Sequence, residues 1–154
     1  MAATTILHSS HPLDAPLCGH AAAMLNRQMF VSGGCDSHLR CYPSLWLYDP
    51  VHGCSKRAPM TEGVGWAGHV MLVSGQRLVV AGGLQSMWAG FEVQLQCESY
   101  DPARDSWTSF PVLPQPHISP AAALGGQLYI LGGSLADSAR DTPWVHRYDP
   151  QAKC

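Results

Sequence analysis

Short apolar runs separated by polar turns fill most of this chain. Residues 19–25 (GHAAAML) and 28–34 (QMFVSGG) are two such runs joined by a polar turn. The second has the clearer alternation and the more β-branched and aromatic content, and both are predicted strands. Residues 45–50 (LWLYDP) predict a third strand, with Asp-Pro opening a turn after it. Residues 54–60 predict a fourth, weaker one. The same order returns at 67–74, 77–83, 95–100 and 106–112, and again at 120–125, 127–133 and 144–149. Between the runs lie a polar loop at 35–44, an insert at 84–94 (LQSMWAGFEVQ) and a third loop at 134–143. The insert is the longest and most apolar of the three.

The runs repeat with fixed punctuation. Gly33-Gly34, Gly82-Gly83 and Gly132-Gly133 each close an apolar strand, 49 and 50 residues apart. Tyr48-Asp49-Pro50, Tyr100-Asp101-Pro102 and Tyr148-Asp149-Pro150 follow them, 52 and 48 residues apart. Trp107 stands six residues after Asp101, and Gly68-His69 repeats Gly19-His20 at an offset of 49. A period near 50 residues decides the fold before any local argument. This pattern resembles the kelch repeat over nearly the whole chain. Three Gly-Gly pairs in phase with three Tyr-Asp-Pro steps carry the resemblance.

The resemblance implies an all-β fold: a kelch-type β-propeller fragment of about three four-stranded antiparallel blades. The expected division is residues 1–17 as the last strand of a preceding blade, 18–60 as repeat 1, 61–112 as repeat 2, and 113–154 as repeat 3 without its last strand. Leu7 to Ala23 aligns with Trp107 to Ala123 at an offset of 100, which places Leu7 at the tryptophan position. Ser55 takes that position in repeat 1, so weaker packing is expected there. The expected structural residues are Gly33, Gly34, Tyr48, Gly82, Gly83, Tyr100, Trp107, Gly132, Gly133 and Tyr148. On this phase the chain is expected to be part of a larger ring. Two copies arranged head to tail could close a six-bladed one. The plainer alternative is that any cut at a fixed repeat phase leaves complementary ends.

Composition narrows the function. Charged residues are 13% of the chain and the formal net charge is −2, with no basic run to bind nucleic acid or an acidic membrane. No stretch reaches the roughly 20 apolar residues of a membrane span, and the first residues do not resemble a signal peptide. Six cysteines without disulfide-like pairing suggest reduced thiols and a cytoplasmic location. No nucleophile elbow, phosphate loop or dinucleotide fingerprint is present. No enzyme activity and no cofactor is expected.

The resemblance further implies a protein-binding module. It is similar to the kelch region of BTB-kelch proteins, whose ring brings a substrate to a cullin-RING ubiquitin ligase while the BTB domain engages the cullin. No BTB segment is recognised in this sequence. The alternatives are a cytoskeletal, actin-binding kelch protein or a kelch-type enzyme. In this family the loops after the Gly-Gly strands and the connections between blades form the partner face. Here those are 35–44, 84–94 and 134–143, with 12–18, 61–66 and 113–118. Among them Arg40, Tyr42, Trp66, Trp88, Phe91 and Arg140 have the chemistry of interface anchors. Trp66 and Phe91 could instead pack inward as blade aromatics. BTB-kelch adaptors often carry Arg between blades, where this chain has Leu17, Gly65 and His117. The expected face is therefore more apolar than one built for an acidic ligand.

Cys35, His38 and Cys41 are spaced C-x2-H-x2-C, with Cys18 and His20 one strand away. Tetrahedral zinc needs four such ligands. The alternative is a polar loop with reduced thiols, and no metal site is assigned. His20 and His69 recur at the blade period, which suits packed, hydrogen-bonded histidines better than catalytic ones.

Overall fold

The computed structural model describes residues 12–13, 17–60, 65–87, 90–115, 117–118, 120–135 and 141–148. In chain order, β1 (Ala21–Leu25), β2 (Gln28–Ser32), β3 (Leu45–Asp49) and β4 (Gly53–Arg57) form one antiparallel sheet in that order. A short β5 (Trp66–Ala67) leads into β6 (Val70–Ser74) and β7 (Arg77–Ala81). The hairpin β8 (Leu84–Met87) and β9 (Gly90–Val93) follows. Then come β10 (Cys97–Asp101) and β11 (Ser106–Phe110). The second blade runs β6-β7-β10-β11. A short β12 (His117–Ile118) precedes β13 (Ala121–Leu124) and β14 (Gln127–Leu131), and β15 (Ser134–Leu135) precedes β16 (Val145–Tyr148). The third sheet is β13-β14-β16. The first strands of the blades are neighbours, with β6 beside both β1 and β13, so the three sheets fan out from a common inner edge.

The turns explain the strand ends. Asp49 Oδ1 accepts the backbone N–H groups of Val51 and His52, and Asp101 Oδ1 accepts that of Ala103. Each aspartate thus closes the turn after its Tyr-Asp-Pro step. Asp149 lies outside the described residues, as do residues 7–11 and 149–154.

The insert at 84–94 is not simply a loop. Leu84 pairs with Val93 and Gln85 with Glu92, and β5 adds a third strand through Trp66↔Gln85 and Ala67↔Leu84. The apolar content of this insert is that of paired strands. The short pairing of β12 with β15 repeats the arrangement one blade on.

Two seams hold the blades together. Between the first and second, Phe30, Leu78, Val80, Tyr100 and Trp107 form one buried cluster. Tyr100 meets Phe30 edge-on at 5.9 Å and Trp107 at 5.1 Å between ring centroids. Trp107 Nε1 donates to the Ala58 carbonyl across the seam at 2.8 Å. Asp105 Oδ1 accepts both the Tyr100 hydroxyl, at 2.6 Å, and the Ala58 N–H, at 2.9 Å. Across the second seam, Leu72, Val79 and Leu128 form one apolar cluster and Ala81, Cys97 and Ile130 another. Phe110 lies 4.6 Å from Tyr148 there, beside a cavity of about 350 Å³. Ser55, at the tryptophan position of the first blade, is exposed on the outer strand β4.

Candidate partner-binding face

The face is built from the Gly-Gly corners. Both residues of each pair have positive φ, so the chain turns where an ordinary residue would be strained. Gly33 shows the second requirement. A Cβ there would sit 2.3 Å from the Trp66 carbonyl oxygen and 2.5 Å from His69 Cε1. The connection to the next blade can lie against this corner only because no side chain is present. Gly34 then donates its N–H to the Trp66 carbonyl at 2.7 Å.

A second contact, within each blade, recurs around the fan. Cys18 pairs with Cys35, Ala67 with Leu84, and Ile118 with Ser134. In each case the segment entering a blade pairs with the segment just after that blade's Gly-Gly. The loops and the connections therefore lie on one face.

The loop at 36–42 is pre-organised around Asp36. Its Oδ1 accepts the backbone N–H groups of His38 and Arg40. Its Oδ2 accepts Arg40 Nε at 3.0 Å and the Tyr42 hydroxyl at 2.8 Å, and lies 2.9 Å from a terminal guanidinium nitrogen of Arg40. Desolvation would raise this carboxyl. The donors from Arg40, Tyr42 and His38 outweigh it and hold Asp36 well below the usual carboxylate range. Leu39, with φ of 61°, stands at the tip and is 54% exposed.

Arg40 is thus exposed but already paired, and Tyr42 is half-buried with its hydroxyl committed to Asp36. Trp66 requires a correction. It is 1% exposed, packs in the first seam and meets His69 at 6.3 Å. A partner approaching the surface would not reach its ring, so Trp66 packs inward instead of anchoring a partner. Trp88 and Arg140 lie outside the described residues. Phe91 is described only as backbone in β9. Sequence reasoning missed Asp36 and Leu39. The signal available for Asp36 was an acidic residue opening a short polar loop, a common loop-former.

The metal-like spacing does not produce a site. Among the described residues, no group of three or more His, Cys, Asp or Glu side chains could hold a metal ion. Among the described residues, Cys18, Cys35 and Cys97 are not in disulfides.

His69 is a packed residue. Its Nε2 shares a hydrogen bond with Ser32 Oγ at 2.7 Å, where both residues are buried, 5% and 0% exposed respectively. Burial first, and then the nearby His20, lower its pKa to about 4, so the ring is neutral. The pair resembles a nucleophile and its base in distance alone. Ser32 is closed to a substrate, and among the described residues His69 Nδ1 has no hydrogen-bond partner to orient the ring.

Comparison with known proteins agrees with this architecture. The Kelch motif family model matches residues 16–59. The chain is 33% identical over 141 residues to kelch-like protein 36 of Mus musculus, covering 87% of this chain and 22% of that protein. It is 28% identical over 128 residues to β-scruin of Limulus polyphemus, covering 79% of this chain and 14% of that protein. It therefore spans less than a quarter of either relative. The solved structure of YjhT superposes with a TM-score of 0.65 at 18% identity, over 80% of this chain and 36% of that one, which concerns the fold alone. No helix among the described residues is long and apolar enough to cross a membrane. The chain belongs to the kelch-repeat family, and its sheets are blades of a kelch β-propeller.

Proposed function

We propose that this chain is a non-enzymatic protein-binding module, and that its loop face recruits a substrate protein for ubiquitination through a cullin-RING ligase. The observation that carries the first part is the ordered loop at 36–42. Asp36 fixes its shape, which leaves Leu39 and Arg40 presented at the tip at little further entropic cost on binding. The ligase role is supported by the similarity to kelch-like protein 36 along most of this chain. It would require a BTB domain to engage the cullin, and it goes with a cytoplasmic location. The expected repeat boundaries at 17/18, 60/61 and 112/113 belong to the same reading.

Binding to actin is the second reading, since kelch resemblance implies it equally and the β-scruin match covers a similar share of the chain. The loops carry no basic cluster that would favour it.

The test is affinity capture from cells with the tagged chain. A partner lost when Leu39 and Arg40 are changed to alanine, at unchanged melting temperature, supports the loop face. Replacing Trp88, Phe91 or Arg140 maps the rest of it. Ubiquitin-dependent loss of that partner when the chain is expressed with a BTB domain supports the ligase reading. Co-sedimentation with actin filaments in its place would overturn that reading in favour of the second.

A further inference from the structure

The first blade differs from its neighbours at one position of the shared pairing. Where the second has Ala67 opposite Leu84 and the third has Ile118 opposite Ser134, the first has Cys18 opposite Cys35. The fold therefore does not require cysteine at either place. The two thiols are 17 residues apart in sequence, and their Sγ atoms lie 3.6 Å apart.

The backbone holds them there. Cys18 donates its N–H to the Cys35 carbonyl at 3.0 Å, and Cys35 donates to the Cys18 carbonyl at 2.8 Å. Residues that exchange both bonds have Cα atoms about 5.5 Å apart, inside the span a disulfide tolerates. An S–S bond of about 2.05 Å asks the two sulfurs to approach by about 1.5 Å, within reach of side-chain rotation. Cys18 is exposed and Cys35 is buried, so only one thiol of the pair is open to a reagent.

We propose that Cys18 and Cys35 form a reversible dithiol site that takes a small-molecule disulfide as oxidant and closes to an intramolecular disulfide. The Cys18 thiolate attacks one sulfur of the reagent. The reagent's S–S bond breaks, and one thiolate leaves and takes up a proton. Cys35 then loses its proton and attacks Cys18 Sγ, expelling the second reagent thiol. The two cysteines give up two electrons and two protons in total, and one disulfide is reduced to two thiols.

The surroundings assign the roles. Burial, followed by the hydrogen bond to Cys18 and the charges of Cys18 and Cys41, pushes the Cys35 thiol up to about 11. Cys35 is therefore a poor first nucleophile. Once Cys18 is capped, its contribution to that rise disappears, and Cys35 becomes easier to ionise when its attack is needed. Cys41 also bridges Cys35 through the backbone, and its thiol reaches both Cys35 and, at 3.8 Å, the Leu84 carbonyl, so Cys41 is the rival partner that the peptide map must separate.

The closed bond would fasten the entry into the first blade to the start of the 36–42 loop. Any effect on partner capture rests on the function proposed above, but bond formation does not. The test is incubation of the full chain with oxidised glutathione, followed by alkylation under denaturing conditions and non-reduced peptide mapping. The expected result is a fall from six alkylatable thiols to four, with a Cys18–Cys35 cross-linked peptide. Cys35→Ser should instead trap glutathione on Cys18, and Cys18→Ala, which copies Ala67 of the next blade, should fold and form no bond. A Cys35–Cys41 peptide in place of the expected one would overturn the proposal. So would failure of the Cys18–Cys35 peptide to appear while other thiols react.

Discussion

Asp105 is the residue whose removal should test the first seam most sharply. Its Oδ1 accepts the Tyr100 hydroxyl within its own blade and the Ala58 N–H across the seam. Asp105→Ala leaves both donors unmet. A buried donor without a partner costs about 1–3 kcal/mol. Tyr100 is 0% exposed, but Asp105 itself is exposed and Ala58 half-buried, so water can partly replace both acceptors once the carboxylate is gone, and each donor falls at or below the lower end. Asp105 also has φ of 48°, which costs an alanine about 1 kcal/mol more. Together these give a loss of roughly 2–3 kcal/mol, a sizeable part of the ~5–15 kcal/mol typical of a domain. Asp105→Gly removes the same bonds without the strain and should lose about 1 kcal/mol less. The assay is urea unfolding followed by circular dichroism and tryptophan fluorescence, with Tyr100→Phe completing a double-mutant cycle. A loss below about 0.5 kcal/mol, or a glycine variant weaker than the alanine one, would refute the reasoning.

Other expectations follow from the same geometry. Gly33→Ala drives a methyl group into the Trp66 carbonyl and His69 at a φ of 62°, so the chain should lose several kcal/mol or fail to fold, as seen in its melting curve. For His69 the folded pKa, about 4, lies below the ordinary value near 6.5. The neutral ring is the folded form, so its contribution is complete above about pH 6.5 and is lost as pH falls toward 4. At pH 5 the loss is about 2 kcal/mol. Urea midpoints between pH 7 and 5 should fall accordingly, and His69→Gln should flatten that slope. Asp36→Asn should leave global stability nearly unchanged while trypsin cuts after Arg40 several-fold faster, because the loop loses its charged hub.

The periodic features were legible in the sequence. The blade strands and the Gly-Gly corners are stated three times, and Tyr100 and Trp107 fill a seam that every propeller must close. Features stated once were harder to see. Asp36 belongs to a loop that the other repeats do not copy. Trp66 follows a connection in sequence, and nothing local shows that its ring turns into the seam. The β8–β9 hairpin was hidden because a short apolar run reads as either strand or contact loop until its partner strand is known. Spacing pointed to a set of segments for the face, while which residues within it are exposed depends on burial that spacing does not encode.

The two seams described above are unequal, and that inequality sets an order of opening. The first is crossed by Trp107 to Ala58, by Asp105 to Ala58, by Ser32 to His69 and by Gly34 to Trp66. Among the described residues, the contacts that cross the second are apolar ones beside a cavity. The first two blades should therefore behave as one cooperative unit, while the third separates at a lower free energy. In native-state hydrogen exchange, amides of β13, β14 and β16 would form a fast class, and those of β2, β7 and β10 a slow one.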